Sequence, residues 1–118
     1  MFHAPIHTPP TPIAAQAIIA QIEGRGDCDY EFEAMINGVA HVFTAWFVTD
    51  WERDSYDGEY LYLSRGAATC ALVGAYASDP DDEYTAFAGN RAELAALIGE
   101  AEVCRWEMEQ SERRTEEG

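Results

Sequence analysis

Carboxylates dominate the chemistry this chain can offer. Between positions 27 and 36 it reads DCDYEFEAMI, with Asp27, Asp29, Glu31 and Glu33 at every second position. Further acids cluster as Asp50, Glu52, Asp54, Asp57 and Glu59 in DWERDSYDGE, and as Asp79, Asp81, Asp82 and Glu83 in DPDDE. Carboxylates can hold hard cations, move protons, or present fixed negative charge. For cations, DPDDE lacks the ligand positions and the glycine of an EF-hand loop. For proton transfer and nucleophilic attack the companions are missing. The sequence has no nucleophile elbow, HExxH, phosphate-binding glycine loop or dinucleotide fingerprint. His3 and His7 are spaced i, i+4, but Pro5, Pro9 and Pro10 keep them off a common helix face. His41 falls within a hairpin and reads as a packed or edge histidine. Arg25-Gly26-Asp27 reads as a turn. Cys28, Cys70 and Cys104 form no CxxC pair, which excludes a zinc ribbon or a dithiol redox motif and fits reduced thiols. The expectation is therefore no catalytic residue, no metal and no cofactor.

Fixed charge remains. The chain has 118 residues, 22 Asp and Glu against 7 basic residues, and a net charge of -15. All the basic residues are arginine. Such a chain repels nucleic acid and anionic membranes, so the expected partner is a basic protein surface. A blander alternative is that the acidity serves solubility alone. Hydrophobic residues make up 47 %, enough for one core in a domain of this length. The N-terminal segment has no Lys or Arg before its apolar part, unlike a signal peptide, and no apolar run reaches the roughly 20 residues of a membrane span. A cytoplasmic location is expected.

The elements that hold the acids follow from periodicity. Residues 1–10 are expected to be extended. Thr11 caps and Pro12 starts a helix whose Ile13, Ala14, Ala17, Ile18 and Ile22 share a face, and Gly24 stops it. From Asp27 to Ala34 alternation is strict, with Cys28, Tyr30, Phe32 and Ala34 on one side and the four acids on the other. This is a half-buried strand. Asn37-Gly38 predicts a two-residue type I′ hairpin, which pairs Ile36 with Val39, Phe32 with Phe43 and Cys28 with Phe47. The returning strand, VAHVFTAWFVTD, is apolar on both sides and so is expected to be central. WERDSYDG reads as a polar turn, EYLYLS as a third strand, and AATCALVGAYA as a fourth. YTAF is ambiguous between strand and lead-in. Asn90 and Glu93 have capping-box spacing before a helix with Leu94, Leu97, Ile98, Ala101, Cys104 (or Arg105) and Met108 on its face, weakened by Gly99. The tail 111–118 is expected to fray. The expected fold class is α+β: one domain over 11–110, a four-stranded antiparallel meander with an N-terminal and a C-terminal helix on one face.

Along a strand, alternate residues lie about 6.6–6.8 Å apart, close to two steps of a DNA strand at about 3.4 Å per phosphate. Asp27, Asp29, Glu31 and Glu33 thus present negative charge at a phosphate-like spacing, and the acids at 50–59 extend it. Trp46, Trp51, Tyr56, Tyr60 and Tyr62 lie around the second and third strands, as core residues or as anchors at an interface. The candidate partner-binding set is Asp27, Asp29, Glu31, Glu33, Trp46, Asp50, Trp51, Glu52, Asp54, Tyr56, Asp57 and Glu59. In size, acidity and lack of enzyme motifs, carried by DCDYEFE, DWERDSYDGE and DPDDE, the chain resembles the small anti-CRISPR and antirestriction proteins of phages and mobile elements. That resemblance implies a non-enzymatic inhibitor occupying the nucleic-acid-binding surface of a host defence complex. Two alternatives remain: a homodimer that covers an apolar face formed by Val42, Trp46 and Val48, and an enzyme using clustered carboxylates with a metal.

Overall fold

The structure, a computed structural model, describes residues 12–53, 65–78 and 85–117. Helix α1 (Pro12–Glu23) leads into strands β1 (Cys28–Ile36), β2 (Val39–Arg53), β3 (Arg65–Ser78) and β4 (Thr85–Asn90), followed by helices α2 (Arg91–Ile98) and α3 (Glu100–Glu117). The strands form one antiparallel sheet in the order β1-β2-β3-β4. This is the expected α+β meander flanked by N- and C-terminal helices.

Hairpin β1–β2 forms as its turn residues require. Asn37 and Gly38 both have positive φ, 53° and 79°, as a type I′ turn demands. The register follows: Ile36 faces Val39, Phe32 faces Phe43 and Cys28 faces Phe47. The other strands differ in membership. The stretch expected as the fourth strand is third in the sheet and pairs directly with β2. Residues 59–64, expected as the third strand, lie outside the described residues, and the ambiguous segment near 84–87 supplies β4. Strand β2 runs on to Arg53, so Trp51 and Glu52 are strand residues rather than part of a turn.

One face of the sheet holds the core. Phe32, Phe43, Ala45, Phe47, Leu72, Ala75, Ala77 and Phe87 pack there with Leu94, Val103 and Trp106 from α2 and α3. Trp106 is fully buried, stacked on Phe32 at 4.9 Å between ring centroids and tilted against Phe43 at 5.4 Å. The expected apolar face of the last helix is corrected here: Cys104 is exposed and Met108 is 65 % exposed. Gly99, at φ 101°, breaks the helix in two and resets its phase, so Val103 and Trp106 turn inward instead.

Both terminal helices were expected on one face, and α1 departs from that. A side chain on Gly74 would start 3.0 Å from Ile22 Cγ1, and Gly74 pairs with Trp46. Trp46 alternates with the core residues Ala45 and Phe47, so Ile22 and α1 pack on the reverse face, over β3 and β4. Among the described residues the reverse side of β1 and β2 stays uncovered except at Trp46, which lies against Gly26 and Tyr76.

Residues 111–117, expected to fray, form the last turns of α3. Strand β4 pairs only with residues 74–78 of β3, which leaves the rest of that edge open. Helix α3 closes it. The backbone N–H groups of Leu72, Cys70 and Ala68 donate to Glu107 Oε2, Ser111 Oγ and Thr115 Oγ1, each at 2.8 Å. Four residues of helix rise about 6.0 Å and two of strand about 6.6 Å, so a helix face spaced i, i+4, i+8 keeps step with alternate strand residues. Arg91 fixes α2 to this assembly through Glu107 at 2.9 Å and Glu100 at 2.8 Å.

Candidate functional site

The uncovered face is built by alternation. Phe32 and Tyr30 turn toward α3, so Asp29, Glu31 and Glu33 must point the other way, and all three are exposed. Beside them on β2 stand their register partners Trp46, Thr44 and Val42. Beyond the start of β1, Val48, Asp50 and Glu52 continue the same side of β2, all exposed. Val42 is 54 % and Val48 41 % exposed, and Met35 ends the β1 row at 59 %. The face therefore carries Val48 between Asp50 and Asp29, and an apolar end at Val42 and Met35 next to Glu33. A shallow cleft of about 340 Å³ opens on it, bordered by Glu31, Val42, Thr44 and Tyr76.

Acids outnumber arginines on this side of the sheet, where the exposed Arg25 stands after α1, beside Ile22 and over the β3–β4 end. Strands β1 and β2 contain no arginine before Arg53 at the end of β2. Arg91, Arg105, Arg113 and Arg114 belong to α2 and α3. Arg105 pairs with Glu102 and Glu109, Arg113 lies 4.0 Å over the Tyr30 ring, and Arg114 lies 5.8 Å over Trp51. These contacts are on the core side. The open row carries its charge at little cost: two carboxylates about 6.7 Å apart repel by about 0.6 kcal/mol in water, less with salt.

The structure divides the predicted set. Asp29, Glu31, Glu33, Asp50 and Glu52 share the open face. Asp27 does other work. Its carboxylate accepts from Thr49 N at 2.9 Å and Thr49 Oγ1 at 3.0 Å, while its own N–H donates to the Phe47 carbonyl at 2.9 Å. Partial burial pushes the Asp27 pKa up, but the Thr49 hydrogen bonds outweigh it and hold the carboxyl below its ordinary range. Trp46 is on the open face but only 9 % exposed, stacked against Tyr76 with centroids 5.5 Å apart. It is the floor of the face rather than a projecting anchor. Trp51 alternates to the core side and meets Arg114, so it is separated from the acidic row. Asp54, Tyr56, Asp57 and Glu59 lie outside the described residues, as do His3, His7 and the DPDDE segment.

Sequence reasoning missed Tyr76, which no local pattern marks as the partner of Trp46. It also missed the Asp27–Thr49 clasp, although a Thr two places beyond the residue facing Cys28 follows from the hairpin register. Cys28, Cys70 and Cys104 are free thiols, and Thr49 Oγ1 lies 3.5 Å from the sulfurs of both Cys28 and Cys70. Burial pushes the Cys28 thiol pKa up, which suits packing rather than nucleophilic attack. His41 Nδ1 sits 3.0 Å from the Val39 carbonyl, within its own strand. Among the described residues no three His, Cys, Asp or Glu side chains converge on a point where a metal ion could sit. No described helix is long and apolar enough to cross a membrane. Comparison with family models, curated proteins and solved structures finds no match to this chain.

Proposed function

We propose that this chain is a non-enzymatic cytoplasmic binding protein that docks the open face of β1 and β2 on a basic protein surface. The surface it takes is one that normally holds nucleic acid, as the resemblance to anti-CRISPR and antirestriction inhibitors implies. One observation carries this reading: Asp29, Glu31, Glu33, Asp50 and Glu52 are exposed on one sheet face, while the described arginines of α2 and α3 lie on the other. Acids that make no ion pair among the described residues, held on a sheet, need little reorganisation when a cationic partner arrives. Their field speeds encounter, and desolvation of Val42, Val48 and Met35 slows departure.

Exposed Val42 and Val48 also favour a second reading, a homodimer through this face. Stacking two such faces would bring like charges together, so the dimer should form only at high salt, opposite to the behaviour of docking on a basic partner.

The test is affinity capture from a host lysate at about 50 and 500 mM salt. The bait is the wild type, the triple variant Asp29→Arg/Glu31→Arg/Glu33→Arg, and a control of equal charge, Glu109→Arg/Glu112→Arg/Glu116→Arg on α3. A basic protein held by the wild type and the helix control, but lost by the sheet variant and at high salt, is the expected result. Equal loss from both variants would mean that generic acidity suffices, and the docking face would be rejected.

A further inference from the structure

Strand β1 is the edge of the sheet, and its outer side has no strand partner among the described residues. The hairpin fixes which backbone groups face outward. In a two-residue type I′ hairpin the pair flanking the turn, here Ile36 and Val39, exchanges both hydrogen bonds. Alternation then puts Phe32 and Tyr30 in hydrogen-bonded pairs with β2, and Asp29, Glu31, Glu33 and Met35 in the pairs between. The N–H and C=O groups of those residues point away from β2. Three of these four outward-facing residues carry an exposed carboxylate, and Met35 is the fourth.

Exposed edges normally carry protection: a proline, a lysine, a bulge or a covering element. In this molecule α3 covers the open edge of β3 through Glu107, Ser111 and Thr115. Nothing comparable is described at β1. Its acids do protect it from one partner. Two copies pairing antiparallel through β1 would set Glu31 opposite Glu31 and Asp29 opposite Glu33 on the same face, and directly opposed like charges destabilise a sheet.

We infer that the edge of β1 accepts an extended basic segment of the partner as an added antiparallel strand, with arginine or lysine at alternate positions opposite Asp29, Glu31 and Glu33. This deepens the docking reading and rests on it. The geometry is self-consistent. Residues that hydrogen-bond to Asp29, Glu31 and Glu33 across the edge lie directly opposite them, so their side chains emerge on the open face at the same spacing as the acids. Backbone hydrogen bonds then give affinity without sequence preference, and the alternate cations give selection.

A synthetic peptide alternating arginine with threonine tests this, against an isomer with its arginines contiguous at one end. A third peptide keeps the alternating sequence but is methylated on the arginine backbone nitrogens, which retains charge and removes the donors. The readouts are affinity for the full chain and hydrogen-exchange protection of the Asp29, Glu31 and Glu33 amides. The alternating peptide is expected to bind at least about tenfold more tightly than either other peptide and to slow exchange at those amides. If all three bind alike and perturb the open face without slowing exchange, strand addition is overturned while the docking face stands. If none binds there, or binding maps to α3, both readings fall.

Discussion

Asp27 shows how a residue can belong to a sequence pattern and not to the site the pattern suggests. It continues the alternation of Asp29, Glu31 and Glu33, yet Thr49 holds its carboxylate through two hydrogen bonds at the end of the β1–β2 ladder. Its folded pKa is depressed, so the bond contributes stability above the ordinary carboxyl pKa, and that contribution is lost as pH falls through the folded value. Asp27→Ala should cost about 1–2 kcal/mol at neutral pH, kept low by the exposure of the site, and should flatten the fall in urea midpoint between about pH 5 and 3. An unchanged acid limb would remove the assigned role. Trp106 is the opposite case, a residue with no charge pattern to announce it and the largest fully buried side chain. Trp106→Ala should destabilise by about 3–5 kcal/mol, measured as a shift in urea midpoint, because the space between Phe32 and Phe43 cannot close.

At the scale of elements, the hydrogen-bond ladder between α3 and β3 explains why the chain after Gln110 is helical. Ser111 and Thr115 look like tail residues in sequence, but each satisfies a backbone N–H that β4 is too short to reach. Ser111→Ala with Thr115→Val should leave two partly buried donors unpaired at about 1–3 kcal/mol each. The Ala68 and Cys70 amides should then exchange faster, along with the last turns of α3. Exchange unchanged at Ala68 and Cys70 would show that the helix is held by other means. Patterns carried within a single element were legible: strict alternation in β1, positive-φ residues at the turn, and the Asn90–Glu93 capping box, which forms with bonds of 2.8 and 3.0 Å. Features that depend on a neighbour's length were not. The fate of Ser111 and Thr115 is set by where β4 stops, the phase of Val103 and Trp106 by the break at Gly99, and the side taken by α1 by Gly74, which lets Ile22 approach the reverse face. The acids of the site could be read from sequence because exposure needs no partner. Their separation from Trp51 could not, because it depends on β2 running three residues past its apparent end.

For the whole molecule, the charge of -15 matters through its placement. Arginines of α2 and α3 neutralise glutamates on the core side of the sheet, and among the described residues no ion pair involves the acids of the open face. A uniform acidic coat would repel all anions equally and favour no orientation. A one-sided face orients the protein as it approaches a cationic surface, and this effect weakens as the Debye length shortens from about 10 Å at 0.1 M salt to about 3 Å at 1 M. The most direct measurement is therefore the association rate with the captured basic partner, followed across ionic strength for the wild type, the β1 triple reversal and the α3 control of equal charge. The rate should fall steeply with salt, and the β1 reversal should slow it at least about tenfold at low salt while the α3 control stays much closer to wild type. A rate indifferent to salt, or slowed equally by both variants, would contradict docking through the open face of β1 and β2.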